Sequence, residues 1–132
     1  MLFRSTHLFR NYVYESIDER AYVSYSQRIL GLNQAIKYIH DNYSREITLD
    51  ELAKIANLSK YYFCNIFKEF TGETFKDYQS RIRIGKATEL LTATDLPVTE
   101  IAFTCGFNDS NYFSRKFKQI TGKTPREIRK KE

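Results

Sequence analysis

This 132-residue chain lacks several features on which common protein classes depend. No apolar run approaches the roughly 18 residues that a membrane-spanning helix needs, so we expect no membrane segment. The two histidines, His7 and His40, stand far apart with no cysteine or acid at ligand spacing, which predicts no metal site. No nucleophile elbow, phosphate loop or dinucleotide fingerprint occurs, so the sequence predicts neither an enzyme nor a cofactor.

Tryptophan is absent and proline occurs only twice, which leaves long helices free of interruptions. The two cysteines are Cys64 and Cys105. Because no secretory signal is recognisable at the start of the sequence, we expect both as free thiols in a reducing cytoplasm. A Cys64–Cys105 disulfide is the alternative.

Composition and charge describe a foldable, moderately basic chain. Hydrophobic residues make up 42% and aromatic residues 15%, which is enough apolar mass for a folded domain. Twenty-one lysines and arginines against sixteen acids give a net charge of +5. This excess permits a polyanionic partner without requiring one.

Two ten-residue stretches are near copies of each other: SKYYFCNIFK at residues 59–68 and DSNYFSRKFK at residues 109–118. Each contains Tyr-Phe and, four residues after that phenylalanine, Phe-Lys; Thr-Gly follows both copies. Residues four apart lie on one face of an α-helix, so each copy predicts a recognition helix with a buried phenylalanine pair. The residues predicted in the core or at its edge are Phe63, Phe67, Phe113, Phe117, Tyr62 and Tyr112.

The outward-facing side chains of both copies are donors and acceptors of the kind that read base edges and bind phosphates. We expect base contacts from Tyr61, Cys64, Asn65, Asn111, Ser114 and Arg115. We expect phosphate contacts from Lys60, Lys68, Arg83, Ser110, Lys118 and Arg126. An exposed arginine such as Arg115 can bond guanine O6 and N7 together, and an asparagine can bond adenine. The alternative for Arg115 is an ion pair with a nearby acid.

A helix-turn-helix is predicted around the first copy, in residues 29–73. Apolar residues at three- and four-residue steps predict its first helix over about 29–42. Thr48 and Glu51 match a capping box, in which the hydroxyl and the carboxylate each accept from a free backbone donor. Gly72 suits the left-handed end of the recognition helix.

A long helix, residues 74–94, is predicted to join this unit to a second one, residues 95–132. Some twenty residues at about 1.5 Å each form a rod of about 30 Å, close to one turn of B-DNA at about 34–36 Å. In the second unit Gly106 supplies the bend before the recognition helix, and Asp109 or Asn108 caps that helix.

Residues 1–28 carry the weakest pattern in the chain. We interpret them as a leader or a remnant of a larger upstream domain, because about 28 residues cannot build a core of their own. A dimerising or effector-responsive arm is the alternative.

From about Leu32 to Arg129 the sequence resembles the DNA-binding domain of the AraC/XylS family of bacterial transcription regulators. It departs from the family pattern at Cys105, where an aliphatic residue is usual, and at Ile128, where an aromatic is common. The residues that carry the resemblance are Ile101-Ala102, Gly106-Phe107, Tyr112-Phe113-Ser114-Arg115, Phe117-Lys118, Gly122 and Thr124-Pro125, with Arg81-Ile82-Arg83-Ile84, Ala87 and Leu90-Leu91 in the linker.

The resemblance implies an all-α fold of seven helices in two helix-turn-helix subdomains joined by a long linker helix. It also implies an activator that contacts RNA polymerase, with a homodimer or an upstream sensing domain as possible additions, working at the nucleoid in the bacterial cytoplasm. We therefore predict a sequence-specific double-stranded DNA-binding transcription regulator whose two recognition helices enter successive major grooves. The alternative is an all-α protein-interaction module that kept the fold and lost DNA reading.

Overall fold

The computed structural model describes the backbone of residues 15–130, with side chains from residue 22 onward. Within that part the chain is all-α with no strand, as predicted. The seven helices of residues 15–130 are α1 (Glu15–Asp41), α2 (Leu49–Ala56), α3 (Lys60–Thr71), α4 (Phe75–Ala93), α5 (Val98–Thr104), α6 (Ser110–Thr121) and α7 (Pro125–Lys130).

The first helix is longer than the apolar period predicted, since it begins at Glu15 instead of near residue 29. No glycine or proline interrupts the added segment. Its side chains also reach α3: the rings of Tyr25 and Phe70 lie 6.3 Å apart, and the Arg28 guanidinium lies 5.4 Å from the centre of the Tyr62 ring. These contacts tie the second half of the presumed arm to the first unit, while residues 1–14 lie outside the described part.

Two hydrophobic cores form, one for each helix-turn-helix, and α4 contributes to both. The first core comprises Leu32, Ala35, Ile39, Ile47, Leu52, Ala53, Ala56, Phe63, Ile66, Phe67 and Phe75. The second comprises Ile84, Ala87, Leu91, Ile101, Ala102, Cys105, Phe107, Phe113 and Phe117. Because α4 buries its first turn in one core and its second half in the other, it is packed at both ends and can act as a stiff connector.

The sequence repeat is also a repeat of helix caps. The Ser59 hydroxyl accepts from the backbone N–H of Tyr62 at the start of α3, and the Asp109 carboxylate accepts from two backbone N–H groups at the start of α6. At the other ends Gly72 and Gly122 adopt φ of +84° and +83°, which closes both helices in the left-handed region. Asp109, one of the two predicted caps for α6, is therefore the one used.

The capping box predicted at the start of α2 is only half formed. The Thr48 hydroxyl accepts from the backbone N–H of Glu51 at 3.1 Å, as expected. The Glu51 carboxylate instead accepts from the Tyr38 hydroxyl at 3.4 Å and from Arg45 at 3.1 Å. A hydrogen bond from Tyr38, 13 positions earlier, and an ion pair with Arg45, 6 positions earlier, take the place of the bond that the pattern predicted.

Candidate nucleic-acid interface

The first recognition helix, α3, separates an apolar inner face from an open outer face. Phe63 and Phe67 are 0% and 1% exposed, because their spacing places both toward the first core. On the outer face Tyr61 is 77% exposed, and Cys64 and Asn65 are exposed as well. Lys68 is also exposed. The three predicted base contacts of this helix are thus all accessible to a partner.

The second recognition helix, α6, repeats this division with different side chains. Phe113 and Phe117 are both fully buried. Asn111, Arg115 and Lys118 are exposed, whereas Ser110 and Ser114 are half-buried at the edge of the same face. The two serines therefore present less surface to a partner than the other predicted contacts.

Arg115 is held over an aromatic ring. Its guanidinium carbon lies 5.8 Å from the centre of the Tyr112 ring, one turn earlier on α6. Among the described side chains, residues 22–130, no carboxylate forms an ion pair with Arg115, so the alternative role is not supported there. Stacking on Tyr112 restricts the planar donor group and leaves its edge open, which suits bidentate bonding.

The two tyrosines that were predicted in the core or at its edge lie at the edge. Tyr62 and Tyr112 are 36% and 44% exposed. Arg28 covers the Tyr62 ring, and Phe107 lies 6.2 Å from the Tyr112 ring. Each tyrosine is the residue before a buried phenylalanine, so its side chain points about 100° away from the core axis.

Lys60, a predicted phosphate contact, is engaged within the protein. Its ammonium lies 3.1 Å from a carboxylate oxygen of Asp50, and both side chains are more than half exposed. An exposed pair of this kind contributes only about 0–1 kcal/mol. A phosphate can therefore replace the Asp50 carboxylate at little cost, and Lys60 remains a candidate.

Arg83, also predicted to contact phosphate, is bound within the protein, and its phosphate contact stays a prediction. Its Nε donates to the Tyr43 carbonyl at 2.6 Å and its terminal nitrogen to the Arg45 carbonyl at 3.0 Å. The guanidinium is half-buried, and burial lowers the pKa of Arg83 from its usual value. Two of its N–H donors are bonded to backbone carbonyls, which holds the guanidinium against the loop of the first unit.

A groove of about 410 Å³ runs beside α3, between that helix and the start of α4. Its apolar side is formed by Phe63, Phe67 and Phe75, while Cys64, Asn65 and Lys68 come from the predicted base- and phosphate-contacting face. The groove therefore lies next to that face, and its phenylalanine side chains form an apolar surface beside the polar one.

Several negative expectations can be compared with the described part of the chain. Among the side chains of residues 22–130 no cluster of histidine, cysteine and acidic residues could hold a metal ion. No helix within residues 15–130 is long and apolar enough to cross a bilayer. Cys64 is a free, exposed thiol and Cys105 a free, buried one, so the disulfide alternative is wrong.

Gln79 is a structural residue that the sequence analysis missed. It is 5% exposed, and its amide donates to the Tyr43 and Arg45 carbonyls at 2.9 Å each. The sequence did indicate that these residues share a face of α4, since Phe75, Gln79 and Arg83 recur at four-residue spacing. The polar residues of that face, Gln79 and Arg83, bind the loop between α1 and α2.

Comparison with known proteins shows what this chain is similar to in sequence. The family described as "Helix-turn-helix domain" matches residues 52–131. The HTH-type transcriptional activator RhaS of Enterobacter sp. (strain 638) is 40% identical over 98 residues, which are 74% of this chain and 35% of that protein. The chain therefore spans about a third of the length of this relative.

Solved structures resemble the described fold closely. The C-terminal domain of AraT, a response regulator from Geobacillus stearothermophilus, has a TM-score of 0.72 and 34% identity, covering 77% of this chain and 85% of that one. A probable AraC family transcriptional regulator from Rhodopseudomonas palustris CGA009 has a TM-score of 0.71 and 28% identity, covering 76% and 95%. These proteins are described as regulators, and their descriptions name no catalytic activity.

Proposed function

This chain belongs to the AraC family of helix-turn-helix, DNA-binding transcription regulators, and from that premise we propose that it reads double-stranded DNA with two helices. In this proposal α3 and α6 enter successive major grooves on one side of a duplex. The groove admits an α-helix, and each base pair presents a distinct donor and acceptor pattern there.

The observation that carries the proposal is the duplicated recognition helix. Both helices are 12 residues long, both have capped ends, and both bury a phenylalanine pair beneath an open polar face. The 19 residues of α4 span about 28 Å, which is near the length of one DNA turn. Two similar recognition helices joined by a helix of this length match the period at which a duplex presents its major groove.

The proposed roles follow from exposure and chemistry. Base edges are contacted by Tyr61, Cys64, Asn65, Asn111, Ser114 and Arg115. Phosphates are contacted by Lys60, Lys68, Ser110, Lys118 and Arg126. Arg115 is assigned to a guanine because its planar fork matches O6 and N7, whereas lysines act as flexible point charges and suit phosphates.

Selection of bound duplexes from a random pool tests the proposal first. Two short motifs about one helical turn apart are expected, and affinity should fall steeply with rising salt because bound phosphates release counterions. A pool that yields no enriched motif, with weak binding at every salt concentration, would favour the protein-interaction alternative.

Variants at Arg115 then test the residue assignment. Arg115→Ala should weaken the selected site by about 1–3 kcal/mol and relax the preference at one base pair. Arg115→Lys is the matched control, because it keeps the charge and the salt dependence but loses the bidentate fork. Lys118→Ala should instead weaken all sequences about equally and reduce the salt slope. Equal losses on random and selected DNA for Arg115→Ala would contradict its role.

We also propose that the protein activates transcription through contact with RNA polymerase at promoters, in the bacterial cytoplasm at the nucleoid. The description of RhaS as an activator supports this extension. Transcription in vitro from a promoter carrying the selected site, with and without this protein, tests it. A fall in transcript would indicate a repressor at that promoter.

A further inference from the structure

Arg83 lies where the two helix-turn-helix units meet. From α4 it donates to the carbonyls of Tyr43 and Arg45, in the loop between α1 and α2 of the first unit. The same guanidinium lies 5.5 Å from the centre of the Phe107 ring, in the turn between α5 and α6 of the second unit. One side chain on the linker thus contacts the loop of one unit and the turn of the other.

Gly106 brings the two units together at this point. Its φ is +104°, a conformation that side chains rarely adopt. A Cβ added there would lie 2.6 Å from the Ser44 carbonyl oxygen and 2.9 Å from the guanidinium carbon of Arg83. The turn before α6 therefore sits against the loop before α2, and only glycine allows this approach.

We call the contact between Arg83, the loop at Tyr43–Arg45 and the turn at Gly106–Phe107 the junction. Its hydrogen bonds favour a fixed geometry. Gln79 donates to the same two carbonyls as Arg83, so four hydrogen bonds converge on Tyr43 and Arg45. The guanidinium is planar and half-buried, and its charge strengthens its bonds to the two carbonyls. The four bonds hold α4 against the loop of the first unit, and the turn of the second unit packs on that same loop through Gly106 and on Arg83 through Phe107.

We propose that Arg83 and Gly106 set the angle between the two units, so that the protein selects operators by the spacing between their two half-sites. Arg83 is then a positioning residue that acts through the recognition helices. This inference rests on the proposed function, because it requires that both α3 and α6 read DNA.

Operators that differ in spacing test the proposal. The two selected motifs are placed at the selected spacing, at one base pair more and one fewer, and each motif is also tested alone. One base pair rotates the second motif by about 34–36° around the duplex axis, which a rigid pair of probes cannot follow. Wild-type protein should therefore prefer the selected spacing strongly.

Arg83→Gln should keep the wild-type affinity for each single motif within about twofold while its preference for the selected spacing falls by about tenfold. Arg83→Lys keeps the charge without the planar fork. Its preference for the selected spacing should lie between those of wild-type protein and Arg83→Gln. Arg81→Gln is the control, because Arg81 lies on the same helix and pairs with Glu73 of the first unit alone. It should leave the spacing profile unchanged.

A glycine pair offers a second test that leaves Arg83 in place. Gly106→Ala adds a clash at the junction, whereas Gly122→Ala adds a similar left-handed backbone cost with no atom within 4 Å of the new Cβ. Loss of the spacing preference is expected for Gly106→Ala only.

The outcomes distinguish a failure of the proposed two-helix function from a failure of the proposed role of the junction. If selection with wild-type protein yields a single motif or none, the proposed two-helix function is wrong. If wild-type protein requires both motifs but binds them equally well at every spacing, the function stands and the proposed role of the junction is overturned. If wild-type protein prefers one spacing and both Arg83→Gln and Gly106→Ala retain that preference undiminished, the role of the junction is overturned. Single-motif affinity reports in every case that the variant is folded.

Discussion

Two glycines inside helices should respond in opposite ways to the same substitution. Gly85 lies on the exposed side of α4, and a Cβ added there meets nothing within 4 Å. Alanine loses less backbone entropy than glycine on folding and is the better helix former. Gly85→Ala should therefore raise the free energy of unfolding by about 0.5–1 kcal/mol.

Gly31 is buried where α1 crosses α2. A Cβ there would lie 2.3 Å from the Ala56 carbonyl oxygen and 3.0 Å from its carbon, both of which are backbone atoms. The clash can be relieved only if the two helices move apart, and overpacking of a core usually costs about 1–3 kcal/mol. After the gain of about 0.5–1 kcal/mol in helix propensity, Gly31→Ala should lose up to about 2.5 kcal/mol.

Urea unfolding followed by circular dichroism measures both variants. The midpoints should shift in opposite directions while the denaturant slope stays near the wild-type value, because neither change alters the surface exposed on unfolding. Because both variants gain the same helix propensity, the separation between them should equal the overpacking cost, about 1–3 kcal/mol. Stabilisation by Gly31→Ala would refute the close crossing of α1 and α2, and destabilisation by Gly85→Ala would refute an open position on α4.

Three further predictions concern other parts of the fold. In native protein a maleimide should modify Cys64 quickly and Cys105 only after unfolding, because Cys64 is exposed whereas burial raises the pKa of the Cys105 thiol; equal labelling rates would contradict this. Asp109→Ala should reduce the free energy of unfolding by about 0.5–2 kcal/mol through loss of the α6 cap, measured by urea unfolding against Asp109→Asn. The Glu127 carboxylate accepts from the backbone N–H of Thr124 at 2.9 Å, and this bond holds the pKa of Glu127 below its usual value. Its stabilisation is therefore complete above the ordinary glutamate pKa and is lost as pH falls through the folded one, so the stability difference between wild type and Glu127→Gln should shrink on acidification.

Much of the candidate interface was predictable because it depends on short-range rules. The phenylalanine spacing predicts which face of each recognition helix is buried, and the structure confirms it for Phe63, Phe67, Phe113 and Phe117. Helix ends at Gly72 and Gly122 follow from the left-handed conformation that glycine tolerates. These features require only residues within a turn or two of one another.

The contacts of Arg83 could not be predicted from short-range sequence patterns. An arginine on a helix beside a presumed DNA-binding face is expected to be solvated, and sequence alone gives no sign of what approaches it. The Tyr43 and Arg45 carbonyls that bind it stand about forty positions earlier in the chain. Glu51 leaves its expected local partner for the same kind of reason, because Arg45 and Tyr38 are brought to it by the folding of α1 against α2.

The sequence by itself determined the helices, their caps, the buried faces of α3 and α6 and the duplication that relates those two helices, since each depends on the periodicity and conformational preferences of neighbouring residues. Only the tertiary structure decided how the two units meet: the start of α1 at Glu15, the approach of Gly106 to Ser44 and the capture of Arg83 by backbone carbonyls. Those contacts join segments distant along the chain, and no local pattern encodes which buried carbonyls will lie beside which donor once the cores have packed.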